Sequence, residues 1–66
     1  MKNSIKVERA KLNLTQQDLA DKIGVSRQTI NSIEKDKYTP SVVLALKIAQ
    51  TFDTSIHEIF QLEEHD

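Results

Sequence analysis

The segment from Arg27 to Lys35 carries side chains that can form paired hydrogen bonds, and their spacing puts several of them on one side of a helix. The Gln28 amide can accept from N6 and donate to N7 of adenine, and Arg27 can donate to O6 and N7 of guanine or to a phosphate. Ser32 follows Gln28 by about one turn and can reach the next base pair. The chemistry of this segment is therefore that of contact with base edges.

Other side chains extend this polar side or stand beside it. Asn31 and Lys35 prolong it, and Lys35 is better placed for a phosphate than for a base. The methyl group of Thr29 can contact the methyl group of a thymine. Gln16 begins another predicted helix, where free backbone amides and the positive end of the helix dipole favour a phosphate. Additional candidates for contacts with the nucleic-acid backbone are Gln17, Lys37, Tyr38 and Thr39.

The distribution of charge bears on this interpretation. Periodicity alone favours a simpler one, in which the polar side of residues 27–35 is the wet face of an amphipathic helix. The net charge of −1 also argues against a nucleic-acid partner. However, residues 1–38 hold eight basic and five acidic side chains, whereas residues 39–66 hold one basic and five acidic ones. This asymmetry, which can also arise by chance, is the pattern expected when one end of a protein faces DNA.

Two capped helices are predicted to position these side chains. Thr15 and Asp18 have the spacing of a capping box, and Gly24 can end the helix that they begin. Ser26 is the next predicted N-cap, for a helix that runs to about Lys35. Two capped helices joined by a short turn with a glycine have helix-turn-helix geometry, in which the second helix enters the major groove.

Three further helices complete an all-α prediction. The first runs from about residue 4 to residue 12, with Ile5, Arg9 and Leu12 on one stripe. The fourth follows Pro40 and is capped by Ser41, and it spans roughly residues 42–52. A short fifth helix begins at Ser55, with Glu58 as the second member of a capping box.

The apolar residues of the C-terminal half predict self-association. A chain of 66 residues buries only about 60% of the surface that its unfolded form exposes, so a single-domain core is marginal. We expect one domain over residues 1–66, with the helix-turn-helix at about 15–35 and a homodimer interface within 41–62. The side chains assigned to this interface are Val43, Leu44, Ile56, Ile59, Phe60 and Leu62.

Several classes of protein are excluded or disfavoured. The chain lacks cysteine, and its serine, histidine and acidic residues form no nucleophile elbow or Gly-rich phosphate loop, so we do not expect an enzyme. His57 and His65 are eight residues apart and have no clear set of partner ligands, so we expect neither a metal nor a cofactor. The longest apolar run, Val42–Leu46, is much shorter than the roughly 20 residues of a membrane span. A cytoplasmic location is expected.

The sequence resembles the Xre/Cro, lambda-repressor-like helix-turn-helix family over nearly its whole length. The matching positions are Ile5, Arg9, Leu14–Gln16, Leu19–Ala20, Ile23–Ser26, Ile30, Ile33–Glu34, Pro40, Leu46, Ile48–Ala49 and Phe52. Within that family, Ser26–Asn31 and Leu44–Ala49 resemble small stand-alone repressors of the cytolysin-repressor type.

The resemblance implies a fold of five helices. It also implies that Gln16 contacts a phosphate and that Arg27, Gln28 and Ser32 face bases. An ion pair between Arg9 and Glu34 is implied as well. Asp36 departs from it, because the family often has glycine there, so this turn is expected to be a place where the structure can differ.

The resulting hypothesis is a sequence-specific regulator of transcription, by default a repressor, that reads a palindromic site in double-stranded DNA as a homodimer. One alternative is an antitoxin-like or adaptor protein that grips a partner protein through its apolar C-terminal face. A DNA binder without sequence preference is disfavoured, since such proteins are usually strongly basic.

Overall fold

The computed structural model describes all residues 1–66 and has five helices and one small antiparallel sheet. None of the helices has the length and apolar character needed to cross a bilayer. The predicted five helices are confirmed, and the sheet is an addition that the sequence did not predict. In chain order the elements are β1 (Lys2–Asn3), α1 (Ile5–Lys11), α2 (Gln16–Ile23), α3 (Arg27–Glu34), α4 (Val42–Thr51), α5 (Ile56–Ile59) and β2 (Phe60–Gln61).

Side-chain caps begin α2, α3 and α4 at the predicted residues. The Thr15 hydroxyl accepts from the Asp18 amide at 3.0 Å, and the Asp18 carboxylate accepts from the Thr15 amide at 3.0 Å. The bond from the Thr15 backbone amide holds the pKa of Asp18 below its ordinary value. Ser26 and Ser41 accept from the amides three residues ahead, at 3.1 and 3.2 Å. These bonds satisfy backbone amides that a helix start would otherwise leave unpaired.

Four helices are followed by a residue in the left-handed conformation. Gly24 ends α2 with φ 78°, as predicted. Because the chain has only this one glycine, Asn13, Asp36 and Asp53 take the same role after α1, α3 and α4, with φ between 52° and 58°. Asparagine and aspartate tolerate this region better than other non-glycine residues. The substitution of Asp36 for glycine therefore leaves the left-handed turn after α3 in place.

The core is a single cluster of thirteen buried apolar side chains, and no polar residue is buried with them. Its largest fully buried side chains come from all five helices: Ile5, Leu19, Ile30, Ile33, Ile48 and Ile59. Leu12 was expected on the inward stripe of α1 but is 53% exposed, because α1 ends at Lys11 and the chain turns there. Leu14 packs against the core instead.

Three side chains assigned to the dimer interface are already buried within the single chain. α5 packs against α4, which leaves Ile59 with no exposed surface and puts Leu44 and Phe60 in the core at 9% and 8% exposure. Their apolar surface is used within the chain. Val43 and Leu62 remain largely exposed, and Ile56 is partly buried.

The end of the chain folds back on its beginning. β1 pairs with β2 in antiparallel register, with Lys2 opposite Gln61 and Asn3 opposite Phe60. The amide of Ser4 also donates to the carbonyl of Ile59 at 2.9 Å. The capping box predicted at the start of α5 is wrong: the Ser55 side chain makes no cap, and the Glu58 carboxylate accepts from the Thr54 hydroxyl instead.

Candidate nucleic-acid interface

The helix α3 is held by its apolar side and presents its other side to solvent. Ile30 and Ile33 are buried to 0% and 1% exposure, and α2 packs along the same helix. The turn between α2 and α3 consists of only Gly24–Ser26, so the two helices have little freedom relative to each other. Helices held in this way form a helix-turn-helix whose second member can approach a duplex.

The N-terminal part of α3 carries unpaired polar side chains. Arg27 and Gln28 are exposed, and neither side chain hydrogen bonds within the chain. Ser32 is partly buried on the same helix. Thr29 is tied back, because its hydroxyl and that of Ser26 are 2.9 Å apart. Its methyl group is the part left for an apolar contact.

A shallow concavity of about 310 Å³ joins α3 to the loop that follows it. Gln28 and Ser32 line its helix side, and Lys37 and Tyr38 line its loop side. Both loop residues are exposed, Tyr38 at 48%. Thr29 also lines it, so the fold brings together five of the residues that the sequence singled out, from positions up to ten residues apart.

The side chains of Gln16 and Asn31 were expected to be free for DNA, but in the structure they are hydrogen-bonded within the chain. The Gln16 side-chain amide donates to Asn31 Oδ1 and to Glu34 Oε1, both at 3.2 Å. This fixes the Asn31 side chain on α3, while its amide nitrogen, like Gln16 Oε1, has no partner within the chain. Two candidate contacts thus belong to one hydrogen-bonded group with defined orientation.

The ion pair between Arg9 and Glu34 completes that group. Arg9 donates through Nε to Glu34 Oε2 at 2.7 Å and through a second nitrogen to Oε1 at 3.0 Å. A third nitrogen donates to the carbonyl of Leu14 at 2.9 Å. The side chains of the pair are only 14% and 7% exposed. The bond to Glu34 raises the pKa of Arg9. α1, the start of α2 and the end of α3 are therefore tied together by charge-assisted bonds.

Gln17 and Lys35 lie outside that group. The Gln17 amide donates to Asp21 at 2.8 Å within α2, so its side chain lies along its own helix. Lys35 is exposed at the C-cap of α3 and has no acidic partner within 4.0 Å.

Asn3 was not predicted to take part in the site, but its amide donates to the carbonyl of Ile33 at 2.9 Å and so ties β1 to the end of α3. No local pattern signals this contact, because the two residues are thirty positions apart.

Comparison with known proteins gives one consistent result. A family model described as helix-turn-helix matches residues 5–59. An uncharacterized HTH-type transcriptional regulator of Methanocaldococcus jannaschii is 58% identical over 66 residues, all of both chains. The restriction-modification controller protein C.AhdI of Aeromonas hydrophila superimposes with a TM-score of 0.78, at 28% identity over 85% of each chain. The P22 c2 repressor, solved with a synthetic operator, superimposes with a TM-score of 0.77, at 26% identity over 80% of each chain.

Proposed function

The chain belongs to the helix-turn-helix family of DNA-binding transcriptional regulators, of the Xre and lambda-repressor type, and we propose that it is a sequence-specific repressor that binds a palindromic operator as a homodimer. The observation that carries this proposal is the two-sided character of α3. Its isoleucines are sealed in the core, while Arg27 and Gln28 project without partners in the chain. The P22 c2 repressor, a structural relative, was solved with an operator, which supports the same use here.

In this proposal the N-terminal half of α3 reads bases in the major groove. Gln28 pairs with an adenine, Arg27 with a guanine or a phosphate, and Ser32 with the neighbouring base pair. The methyl group of Thr29 contacts a thymine methyl, and the free amide nitrogen of Asn31 adds a donor. Bidentate contacts of this kind discriminate against a wrong base by about 1 to 3 kcal/mol each.

A second set of residues holds the sugar-phosphate backbone and fixes the register of α3. Gln16 begins α2, where the free backbone amides can donate to a phosphate and the helix dipole favours an anion. The exposed residues that supply the remaining backbone contacts are Gln17, Lys35, Lys37 and Tyr38. Such contacts add affinity for every sequence and leave selectivity to the base-reading residues.

The Gln28→Ala substitution is expected to relax base preference at one position of each half-site, by about 1 to 3 kcal/mol. Lys35→Ala is the matched control, because it removes a phosphate contact from the same helix. It should weaken operator and random duplexes alike and make the salt dependence of binding shallower. The measurement is selection of bound duplexes from a random pool, followed by titration at several salt concentrations. Equal losses on selected and random DNA for Gln28→Ala would contradict the base-reading role.

The proposed dimer interface comprises α4 and the C-terminal segment. Four large apolar side chains in this region are each more than half exposed: Val42, Val43, Leu46 and Leu62. Exposed apolar surface of this kind is typical of an interface with another protein. Val42 and Leu62 line an apolar groove of about 480 Å³, and Ile56 lies in its wall. Two copies joined here would carry two α3 helices, and a palindrome needs them about 34 Å apart, in successive major grooves.

Val42→Glu is expected to shift the protein from dimer to monomer. Val42 is 72% exposed at the first turn of α4, where an acidic side chain suits the helix dipole, so the fold should be retained. Sedimentation equilibrium of wild type and variant gives the association constant. Val7→Glu makes the same charge change at a 56% exposed position of α1 and should leave association unchanged. A wild type that stays monomeric at all concentrations contradicts the dimer.

The apolar groove also supports a second candidate function, that of an antitoxin-like or adaptor protein whose partner fills it. The two functions differ in the behaviour of the isolated chain. A repressor retains preference for particular duplexes at moderate salt, whereas an adaptor binds duplexes weakly and without preference. Gel shifts over a series of salt concentrations decide between them.

A further inference from the structure

Two adjoining concavities lie beside the C-terminal half of α3, on the side where it meets β1 and the start of α1. One, of about 370 Å³, includes Lys6, Gln16 and Asn31 in its lining. The other, of about 470 Å³, includes Lys2. Both share Asn3, Glu34 and Lys35, and neither is lined by a hydrophobic side chain. We call the two together the polar seam.

The polar seam has an excess of positive charge. The carboxylate of Glu34 is neutralised by Arg9, which bonds to both of its oxygens. The carboxylate of Asp36 accepts from the Met1 ammonium group at 3.1 Å, and the same ammonium group also contacts the carboxylates of Glu63 and Asp66 at 3.3 and 2.9 Å. By contrast, the ammonium groups of Lys2, Lys6 and Lys35 have no acidic partner within 4.0 Å. Three lysines therefore remain available to an anion.

Hydrogen bonds join the seam to α3 and to β2. Asn3 lies between Lys2 and the first turn of α1, and its amide donates to the carbonyl of Ile33 at 2.9 Å. β1 is also paired with β2, so the backbone of Lys2 is held on both sides. In the folded chain these bonds place Lys2 and Lys6 beside α3, which carries the base-reading candidates.

We propose that Lys2 and Lys6, together with Lys35, bind successive phosphates of the duplex backbone and so extend the DNA contact beyond the helix-turn-helix. This rests on the proposed function. Gln16 supports the assignment, because it lines the same seam and begins α2 at a site suited to a phosphate. Lysine ammonium groups bind phosphate as point charges and carry no base selectivity. The seam therefore adds affinity that depends on salt and not on sequence.

The test is the salt dependence of duplex binding by full-length variants. The Lys2→Gln, Lys6→Gln double variant removes two contacts per subunit, so the slope of log K against log salt should become shallower by about 1.8 per bound subunit. The control is the Lys22→Gln, Lys47→Gln double variant, which makes the same charge change at exposed lysines outside the seam. Its slope should match wild type. Fluorescence anisotropy with a selected duplex and a random duplex gives both slopes, and circular dichroism checks the fold.

The outcomes separate the inference from the proposed function. An equal decrease in slope on both duplexes, confined to the seam variant, supports the phosphate track. An unchanged slope, or equal decreases in seam and control variants, overturns it while leaving the proposed function intact. Loss of selectivity without a change in slope also overturns it. A wild type that binds no duplex overturns both.

Discussion

The Arg9→Met substitution is expected to lower the free energy of unfolding by about 3 kcal/mol. Methionine keeps much of the apolar stem of arginine but leaves the Glu34 carboxylate, whose side chain is 7% exposed, without its cation. Only the Gln16 amide would remain as a partner at 3.2 Å. A domain of this length has a total stability of about 3 to 10 kcal/mol, so this loss removes about a third of it or more.

Urea denaturation followed by circular dichroism measures this loss. The matched control is the double variant Arg9→Met, Glu34→Leu, which removes both charges and leaves an apolar pair in their place. Because the penalty comes from the unpaired charge, the double variant should recover most of the lost stability. If it is as unstable as Arg9→Met alone, the loss arises from packing of the arginine stem, and the ion pair is not what holds α1 to α3.

The Ile59→Ala substitution is expected to lower the free energy of unfolding by about 2 to 4 kcal/mol, through lost burial and the cavity left behind. Ile59 has no exposed surface and lies on α5, which the chain packs against α4. Leu62, three residues later, is 81% exposed. Leu62→Ala should change the stability of the single chain by less than about 0.5 kcal/mol and act on self-association instead.

Thermal unfolding at several protein concentrations distinguishes the two effects. The loss for Ile59→Ala should persist at the lowest concentration, whereas any effect of Leu62→Ala should fade as the chains dissociate. Where Ile59→Ala fails to fold, Ile59→Val, with an expected loss of about 0.5 to 1.5 kcal/mol, keeps the comparison measurable. A loss at Ile59 that vanishes on dilution would return this residue to the interface between copies.

The parts of the fold that sequence predicted are those decided within a few residues. The caps at Thr15, Ser26 and Ser41 depend on an oxygen and an amide three residues apart, and Gly24 depends only on its own backbone freedom. Short-range chemistry of this kind is visible in a single sequence. It was sufficient to place the helix-turn-helix and therefore the side of α3 that faces outward.

The parts that sequence did not predict depend on distant contacts. β1 and β2 have two residues each, too few for a strand pattern, and they pair only because α5 returns the chain to its start. The same return decides that Ile59 is buried while Leu62 is not. Both are apolar and near the end of the sequence, and nothing local distinguishes them.

The candidate site shows the same division. The outward position of Arg27 and Gln28 follows from the period of α3 and was predicted. The partners of Gln16 were not, because they lie on α3, fifteen and eighteen residues away. Gln16 was chosen because it begins a helix, but it also has a structural role. The residues next to it in sequence do not indicate that role.

The bond from Asn3 to the carbonyl of Ile33 couples two elements with different resistance to opening. A ladder of two residues per strand is among the first parts of a small protein to fray, well before the core separates. When β1 detaches, the carbonyl of Ile33 in the last turn of α3 loses the hydrogen bond from the Asn3 side chain. Opening of β1 is therefore expected to loosen the end of the helix proposed to read bases, without global unfolding.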